Sequence, residues 1–360
     1  MNPAVAEINL TALQHNFARI QTFVPHSTIL PMIKADAYGH GMARVAKALP
    51  QAQAFGVARL SEAIYLRQQD VMQPLVIMSG FDSLEALKQI AALRFIPVVH
   101  TIEQLQLLES FHWPQPLFIW LKIDTGMHRL GFQISQLAQV YQRLLNCPVV
   151  QKPLGFMTHF ANADDVDSTA TLDQWREFTQ AVKWSGPKSA ANSAAILAWP
   201  PTHTEWVRPG IMLYGVSPFP NRSGIEWDLQ PVMTFRTQLI AIHDLPQGAA
   251  VGYGSTWICP EPMRVGIAAA GYGDGYPRHA AQETPVLVGG KRCGIIGRVS
   301  MDLIAIDLRA QPSANLGDSV TLWGEGLPVE TVAAAAETIP YELLCHVARR
   351  VRFVEKQPKN

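Results

Sequence analysis

The 360-residue chain reads as an α/β protein, an N-terminal TIM-type (β/α)8 barrel followed by a C-terminal mainly-β domain, and three observations predict it. Short apolar runs alternate strictly with amphipathic helical patterns over the first two thirds. A Pro, Gly and Ser cluster at Ser217-Pro-Phe-Pro-Asn-Arg-Ser-Gly224 then breaks the rhythm, and the strand-like runs beyond it lack helices of similar length between them. Strand and helix in succession imply a parallel sheet with helical crossovers, whereas closely spaced strands imply antiparallel pairing.

In order, the apolar runs are Thr28 to Ile33, Phe55 to Ala58, Pro74 to Met78, Phe95 to Val99, Leu117 to Ile123 and Leu154 to Thr158. Between them Ser83 to Ile90, Thr101 to Leu108 and Thr171 to Phe178 carry apolar residues at helical spacing, and the last two open with the T-x-x-Q form of a capping box. The alternation suits both an open doubly wound sheet and a barrel; continued through roughly eight units it favours the barrel. Beyond the break, Phe235 to Ile242, Arg264 to Ala269, Pro285 to Val288, Ile304 to Leu308 and Ser319 to Leu322 read as strands, followed by a helix over Val329 to Thr338 and a last short strand. The expected domains are 1–225, whose first few residues pack with the second module, and 226–360.

Composition narrows the function classes. Lys plus Arg and Asp plus Glu both number 29, so no net field points to nucleic acid or an anionic membrane, and a small-molecule substrate is the default. Cys147, Cys259, Cys293 and Cys345 form neither a C-x-x-C pair nor a regular framework, which suits reduced thiols in the cytoplasm. The N-terminus lacks a basic stretch followed by a long apolar core, and no uninterrupted membrane-spanning run is present. No His, Cys or carboxylate cluster has metal-ligand spacing. The Gly271-Tyr-Gly-Asp-Gly275 stretch lacks the G-x-G-x-x-G spacing of a dinucleotide site.

The chemistry is concentrated in Ile33-Lys-Ala-Asp-Ala-Tyr-Gly-His-Gly41. It places Lys34 at the end of an apolar strand, where burial would favour the neutral amine, and follows it with a glycine-punctuated turn. Lys34 is thus a candidate Schiff-base former. The stretch closely resembles the cofactor-lysine motif of the alanine racemases. The resemblance recurs, in family order, at Lys122-Ile-Asp-Thr-Gly-Met-His-Arg-Leu-Gly131, Arg208-Pro-Gly-Ile-Met-Leu-Tyr-Gly215, Val251-Gly-Tyr-Gly-Ser-Thr256, Gly271-Tyr-Gly-Asp-Gly-Tyr276 and Gly297-Arg-Val-Ser-Met-Asp302.

The resemblance implies a pyridoxal 5'-phosphate (PLP) enzyme interconverting L-alanine and D-alanine, with Lys34 carrying the cofactor and acting as base on one face of the alpha carbon. Tyr253 would be the base on the other face, supported by His159. Arg208 would face the pyridine nitrogen; having only donors, it would keep that nitrogen unprotonated. By the same resemblance Tyr38, Ser193, Gly210, Ile211 and Tyr341 bind the phosphate, Arg129 and the backbone N–H of Met301 hold the substrate carboxylate, and Lys122 is a carbamate candidate. Tyr272 and Asp302 match positions at the entrance. The family's sites are shared across a two-fold homodimer, which becomes the expectation here. Ser300 stands where some members have cysteine. A racemase of another small amino acid such as serine, and a non-catalytic PLP carrier, are the alternatives; basic-amino-acid decarboxylases lack a reason for Tyr253.

Overall fold

A computed structural model describes residues 4–356. The chain divides into two compact units, one of residues 17–37 and 41–213, the other of the N-terminal residues through 16, then 38–40, then 214 onward.

The first unit is the predicted barrel. Thr28–Ile29, Phe55–Val57, Leu75–Ile77, Ile96–Val99, Trp120–Asp124, Gly155–Met157, Lys188–Ser189 and Trp206–Val207 are its strands. All pair in parallel with their sequence neighbours. The last returns to the first. A parallel bridge from Met32 to Gly56 closes the ring, with Ile33 N–H donating to Gly56 O at 2.9 Å and Gly56 N–H to Pro31 O at 2.9 Å. Three strands have only two residues each; of these Lys188–Ser189 and Trp206–Val207, unlike Thr28–Ile29, lie in no longer apolar run that would mark them in the sequence.

The crossover helices bury the faces their periodicity predicts. In Leu84–Ala92 the buried residues are Leu87, Ile90 and Ala91, and the Ser83 hydroxyl caps the helix by accepting from Ala86 N–H. Thr101 caps Ile102–Ser110 through Gln104 N–H, but the box is only half formed, because the Gln104 side chain accepts from His100 N–H instead of Thr101 N–H. The second T-x-x-Q site is a correction: the helix runs Ala170–Ala181, so Thr171 is a buried interior residue rather than a cap. Gln174 instead turns inward, accepting from Ala161 N–H and donating to His159 O at 3.1 Å.

Inside the barrel, alternation of side chains stacks layers. Leu30, Ala54, Val76, Val98, Trp120 and Met157 form one closed apolar layer, with Trp206 packed on it. Two residues further along the strands lie Met32, Gly56, Met78, His100, Lys122, His159 and Arg208. The apolar layer is therefore the floor beneath a strongly basic one. Gly56 leaves room for the Met32 side chain, since a Cβ there would sit 2.5 Å from the Met32 sulfur and the methionine would have to move.

The second unit is an eight-stranded sheet with the order Met263–Ala268, Ile304–Asp307, Lys291–Ile296, Pro285–Val288, Ser319–Trp323, Met233–Leu245, Val5–Ile8 and Arg352–Glu355. Met233–Leu245 also pairs with Met263–Ala268, so six of the strands close on themselves. Pairing is antiparallel except between Val5–Ile8 and Arg352–Glu355. Lys291–Ile296 escaped the sequence reading because Lys-Arg-Cys-Gly-Ile-Ile shows no alternation. The expected helix over 329–338 is two, Val329–Ala335 and Pro340–His346, separated where Glu337 takes φ 50° and Pro340 opens a new first turn. The Pro, Gly and Ser cluster is tied within this unit: the Glu330 carboxylate accepts from Ser217 and Gly224 N–H, both at 2.9 Å.

Candidate active site

The barrel end of the site begins at Lys34. Immediately after it Ala35, Asp36, Ala37 and Tyr38 all take φ between 51° and 55°. A left-handed turn of L-residues costs roughly 1–2 kcal/mol per residue, so it persists only where neighbours hold it. Two carboxylates do so. Glu62 accepts from Ala35 N–H at 2.8 Å and from Ala58 N–H at 2.6 Å. Asp36 accepts from Met42 N–H at 2.8 Å. Neither was singled out from sequence: Glu62 lies 27 residues from Ala35, outside any local motif, and Asp36, although inside the Lys34 motif, bonds just beyond its end.

Lys34 itself is half-buried rather than buried, which corrects the sequence argument that its strand hides it. The lysine that burial does act on is Lys122, 6% exposed and one strand position into the basic layer. Burial first, then the charges of Arg208, Arg129 and Lys34, push its amine down to about 7, opposed only by Asp124. Near neutrality a lysine in this state is about half neutral amine, so a substantial share of it can act as a nucleophile.

Arg208 is 3% exposed and anchored on every side. Its guanidinium donates to Ser189 Oγ at 2.6 Å, Thr158 O at 2.6 Å and Ala190 O at 3.1 Å. It lies 3.2 Å from His159 Nδ1, which must accept because arginine has no acceptor; the imidazole proton is thus on Nε2. Burial, then Arg208 and the lysines and arginine nearby, hold His159 well below its ordinary value and neutral. Burial lowers Arg208 to about 10, still a cation at physiological pH.

Beside it Ser193 opens the helix Ser193–Ala198, whose cap is the Asn192 side chain accepting from Ala195 N–H at 3.0 Å. Ser193 Oγ accepts from Gly210 N–H at 2.9 Å, which leaves its own proton to donate. Gly210 and Ile211 are buried directly after the last barrel strand.

Arg129 is exposed on the loop after Trp120–Asp124. The loop is organised by Asp124, which accepts from Gly126 and His128 N–H at 3.0 Å, from the His128 ring at 3.1 Å and from Gln133 Nε2 at 3.2 Å. Burial alone would raise the Asp124 carboxyl, but those N–H groups and the His128 ring outweigh it and the value falls. The loop must return tightly: a Cβ on Gly131 would lie 2.6 Å from Asp124 N. The D-T-G-M-H spacing was the available signal for Asp124.

The second unit carries the remaining residues. Tyr38 is buried, its ring centroid 4.9 Å from Tyr214 and 6.0 Å from Tyr341, and burial, then Tyr341 and Cys345, raise its phenol. Tyr253 stands on a turn between Gly252 (φ 76°) and Gly254 (φ 71°), 69% exposed. Tyr272 and Met301 sit on two loops that are laced together. Tyr272 N–H donates to Ser300 O at 3.0 Å and Gly273 N–H to Met301 O at 2.8 Å. A Cβ on Gly271 would meet Ser300 O at 2.2 Å, so only glycine allows this approach. Arg350 clamps both loops, donating to Asp274 Oδ1 at 2.8 Å and Asp302 Oδ1 at 2.7 Å, while Asp274 Oδ2 accepts from Gly271 N–H. Arg350 and Asp274 were not predicted as site residues; the acid-to-arginine separation of 76 residues leaves no local trace.

Thus one unit holds Lys34, Lys122, Arg129, His159, Ser193, Arg208, Gly210 and Ile211, and the other holds Tyr38, Tyr253, Tyr272, Met301, Asp302 and Tyr341. Among the described residues no helix is long and apolar enough to cross a membrane.

Comparison with known proteins covers nearly the whole chain. Residues 8–218 match the alanine racemase N-terminal domain and residues 232–355 the alanine racemase C-terminal domain. An alanine racemase of Coxiella burnetii is 51% identical over 361 residues, covering 99% of both chains, and one of Nitrosococcus oceani is 50% identical, covering 98% of this chain and 99% of that one. The biosynthetic alanine racemase of Pseudomonas aeruginosa superposes with a TM-score of 0.96 at 41% identity, covering 99% of this chain and all of that one. An alanine racemase of Bartonella henselae with covalently bound pyridoxal phosphate superposes at 0.89 with 26% identity, covering 99% of this chain and all of that one. A barrel with a basic layer at its mouth, a second, mainly-β unit bearing an exposed tyrosine turn, and identity near one half over the full length make this chain a member of the alanine racemase family of isomerases.

Proposed function

We propose that the protein interconverts L-alanine and D-alanine using PLP held by Lys34, with Lys34 and Tyr253 exchanging the alpha proton on opposite faces. The observation that carries this reading is Arg208: a fully enclosed guanidinium, offering donors only, in the layer that also holds Lys122 and His159. The donor set fits PLP. Lys34 offers an amine, Ser193 keeps a hydroxyl proton, Tyr38 and Tyr341 bring two phenols together, and Gly210 and Ile211 supply backbone beside Ser193. Bound PLP supplies an electron sink that makes the alpha proton of an amino acid removable.

Arg208 offers donors only and keeps its proton in the working range, so it would leave a pyridine nitrogen set against it unprotonated; by moderating the sink in this way it would disfavour transamination and favour simple return of the proton. His159, with Nδ1 committed to Arg208, retains an Nε2 proton to donate to the Tyr253 oxygen, as the family resemblance suggests. Arg129 and the Met301 N–H would hold the substrate carboxylate, and carbamylation of Lys122 would turn a cation into an anion that orients Arg129. Tyr272 and Asp302 would narrow the entrance and favour a small side chain.

The two halves of the site would come from different subunits of a homodimer, and the enzyme would act in the cytoplasm, supplying D-alanine for peptidoglycan or feeding alanine breakdown. Chiral chromatography of PLP-loaded protein given L-alanine and D-alanine separately tests the activity. Both should converge on an equal mixture. PLP binding without interconversion of alanine would overturn this reading in favour of serine or a carrier role. Mixing Lys34→Ala and Tyr253→Phe subunits should restore partial activity; none after verified exchange would place each site within one chain.

A further inference from the structure

The basic layer contains one histidine that the reaction above leaves unused. His100 follows the strand Ile96–Val99, which pairs in parallel with Trp120–Asp124 in the register Val98 to Trp120 and Val99 to Leu121. Continuing that register by one residue sets His100 beside Lys122. Val98 and Trp120 both point into the apolar layer, so His100 and Lys122, two residues on, point the same way one layer higher.

The ring is held in one tautomer. His100 Nε2 lies 2.9 Å from Ser79 O, which can only accept, and 3.3 Å from Gln104 Nε2; the shorter contact, with the Gln104 amide protons taken up by Ser79 O and Phe81 O, puts the imidazole proton on Nε2. Gln104 secures the arrangement, its Oε1 accepting from His100 N–H at 2.8 Å and its amide donating to Ser79 O and Phe81 O. That leaves His100 Nδ1 a bare acceptor, buried and without a hydrogen-bond partner among the described residues. A buried acceptor without a donor is unfavourable, and a donor brought to it would relieve that cost.

We infer that His100 Nδ1 is the proton acceptor for carbamylation of Lys122 and afterwards the partner that retains the carbamate. The inference rests on the reading that Lys122 is carbamylated. The neutral Lys122 amine attacks CO2, a nitrogen–carbon bond forms, and the N–H proton released passes to His100 Nδ1. The step turns two neutral groups into an anion and an imidazolium, and Arg208 and Arg129, whose charges already act on Lys122, add to the attraction for the carbamate. The sign of Lys122's influence on the ring reverses in the same step: as a cation it disfavours imidazolium, as a carbamate it favours it. His100 is thus a positioning residue for Arg129, acting through Lys122.

The test is the carbamate carbon-13 resonance of holoenzyme equilibrated with carbon-13 bicarbonate, for wild type and His100→Gln. Glutamine can still donate toward Ser79 O but offers no basic nitrogen at the Nδ1 position. Loss of most of the resonance with an unchanged melting temperature is the expected result. A resonance of wild-type intensity in His100→Gln overturns the inference while leaving carbamylation standing. No resonance in active wild type removes the carbamylation reading, and the inference with it. If His100→Gln melts early, His100→Ala with added imidazole decides: recovery of the resonance supports the acceptor role, and no recovery overturns it.

Discussion

At the barrel mouth Lys122 and Arg208 are 6% and 3% exposed, while Tyr253 and Met301 of the second unit are 69% and 53% exposed. The barrel residues sit on strands above a packed apolar layer, so their positions and proton affinities are set by burial and by each other. The second unit's residues sit on glycine turns and loops, laced by backbone hydrogen bonds and by Arg350. The contrast separates two ways of making a site: electrostatic tuning where water is excluded, and presentation from a loop whose shape is fixed by glycines and a clamp.

Breaking the barrel side should have the largest effect. Lys34→Ala removes both cofactor attachment and one base, and racemisation should fall by ~10³-fold or more, with loss of the visible cofactor absorbance as the check. Tyr253→Phe comes next. It should slow racemisation by ~10²–10⁴-fold yet leave exchange of the alpha proton with solvent on the Lys34 face. Deuterium uptake without inversion is the signature; equal loss of uptake and inversion would mean that Tyr253 acts on both.

The third prediction sharpens the electrostatic half. Lys122 titrates lower folded than unfolded, so between about 7 and its ordinary value near 10.5 the unfolded chain binds the extra proton and stability rises with pH. The gain is lost as pH falls toward 7, and below that the full penalty remains. In CO2-free buffer this group contributes a slope of at most ~1.4 kcal/mol per pH unit. Lys122→Met should flatten the slope and melt higher than wild type at pH 7, an advantage that shrinks toward pH 10. Parallel stability curves would show that Lys122 keeps an ordinary affinity for its proton.

Arg350→Gln probes the other half and should give the smallest effect. The guanidinium is half exposed, so its ion pairs contribute only ~0–1 kcal/mol to stability. Its loss should raise KM several-fold through slack in the Tyr272 and Met301 loops with little change in melting temperature. A lower kcat at unchanged KM would contradict a role in holding substrate.

Much of the fold was legible because it is periodic. Val98, Trp120 and their neighbours repeat along the strands, and Leu87, Ile90 and Ala91 recur on one helical face, so the βα units announced themselves. The site motifs were legible because each is contiguous: Lys34 with its turn, Arg129 within its loop, Arg208 before Pro209. The misreadings are of one kind. Thr171 has the local pattern of a cap, yet packing places it inside the helix, and Lys34 has a strand before it but is not the buried lysine.

By itself the sequence determined the alternation of elements, the break near residue 220, and which residue types stand in the motifs, because period and contiguity are properties of neighbours along a chain. Only the tertiary structure decided that Glu62 holds the left-handed turn after Lys34, that Arg208 sets the tautomer of His159, and that Arg350 joins Asp274 to Asp302. Those pairings cross 27, 49, 76 and 48 residues. Proton affinities followed the same division, since the charge felt by Lys122 is a sum over groups that meet only when the strands close into a barrel.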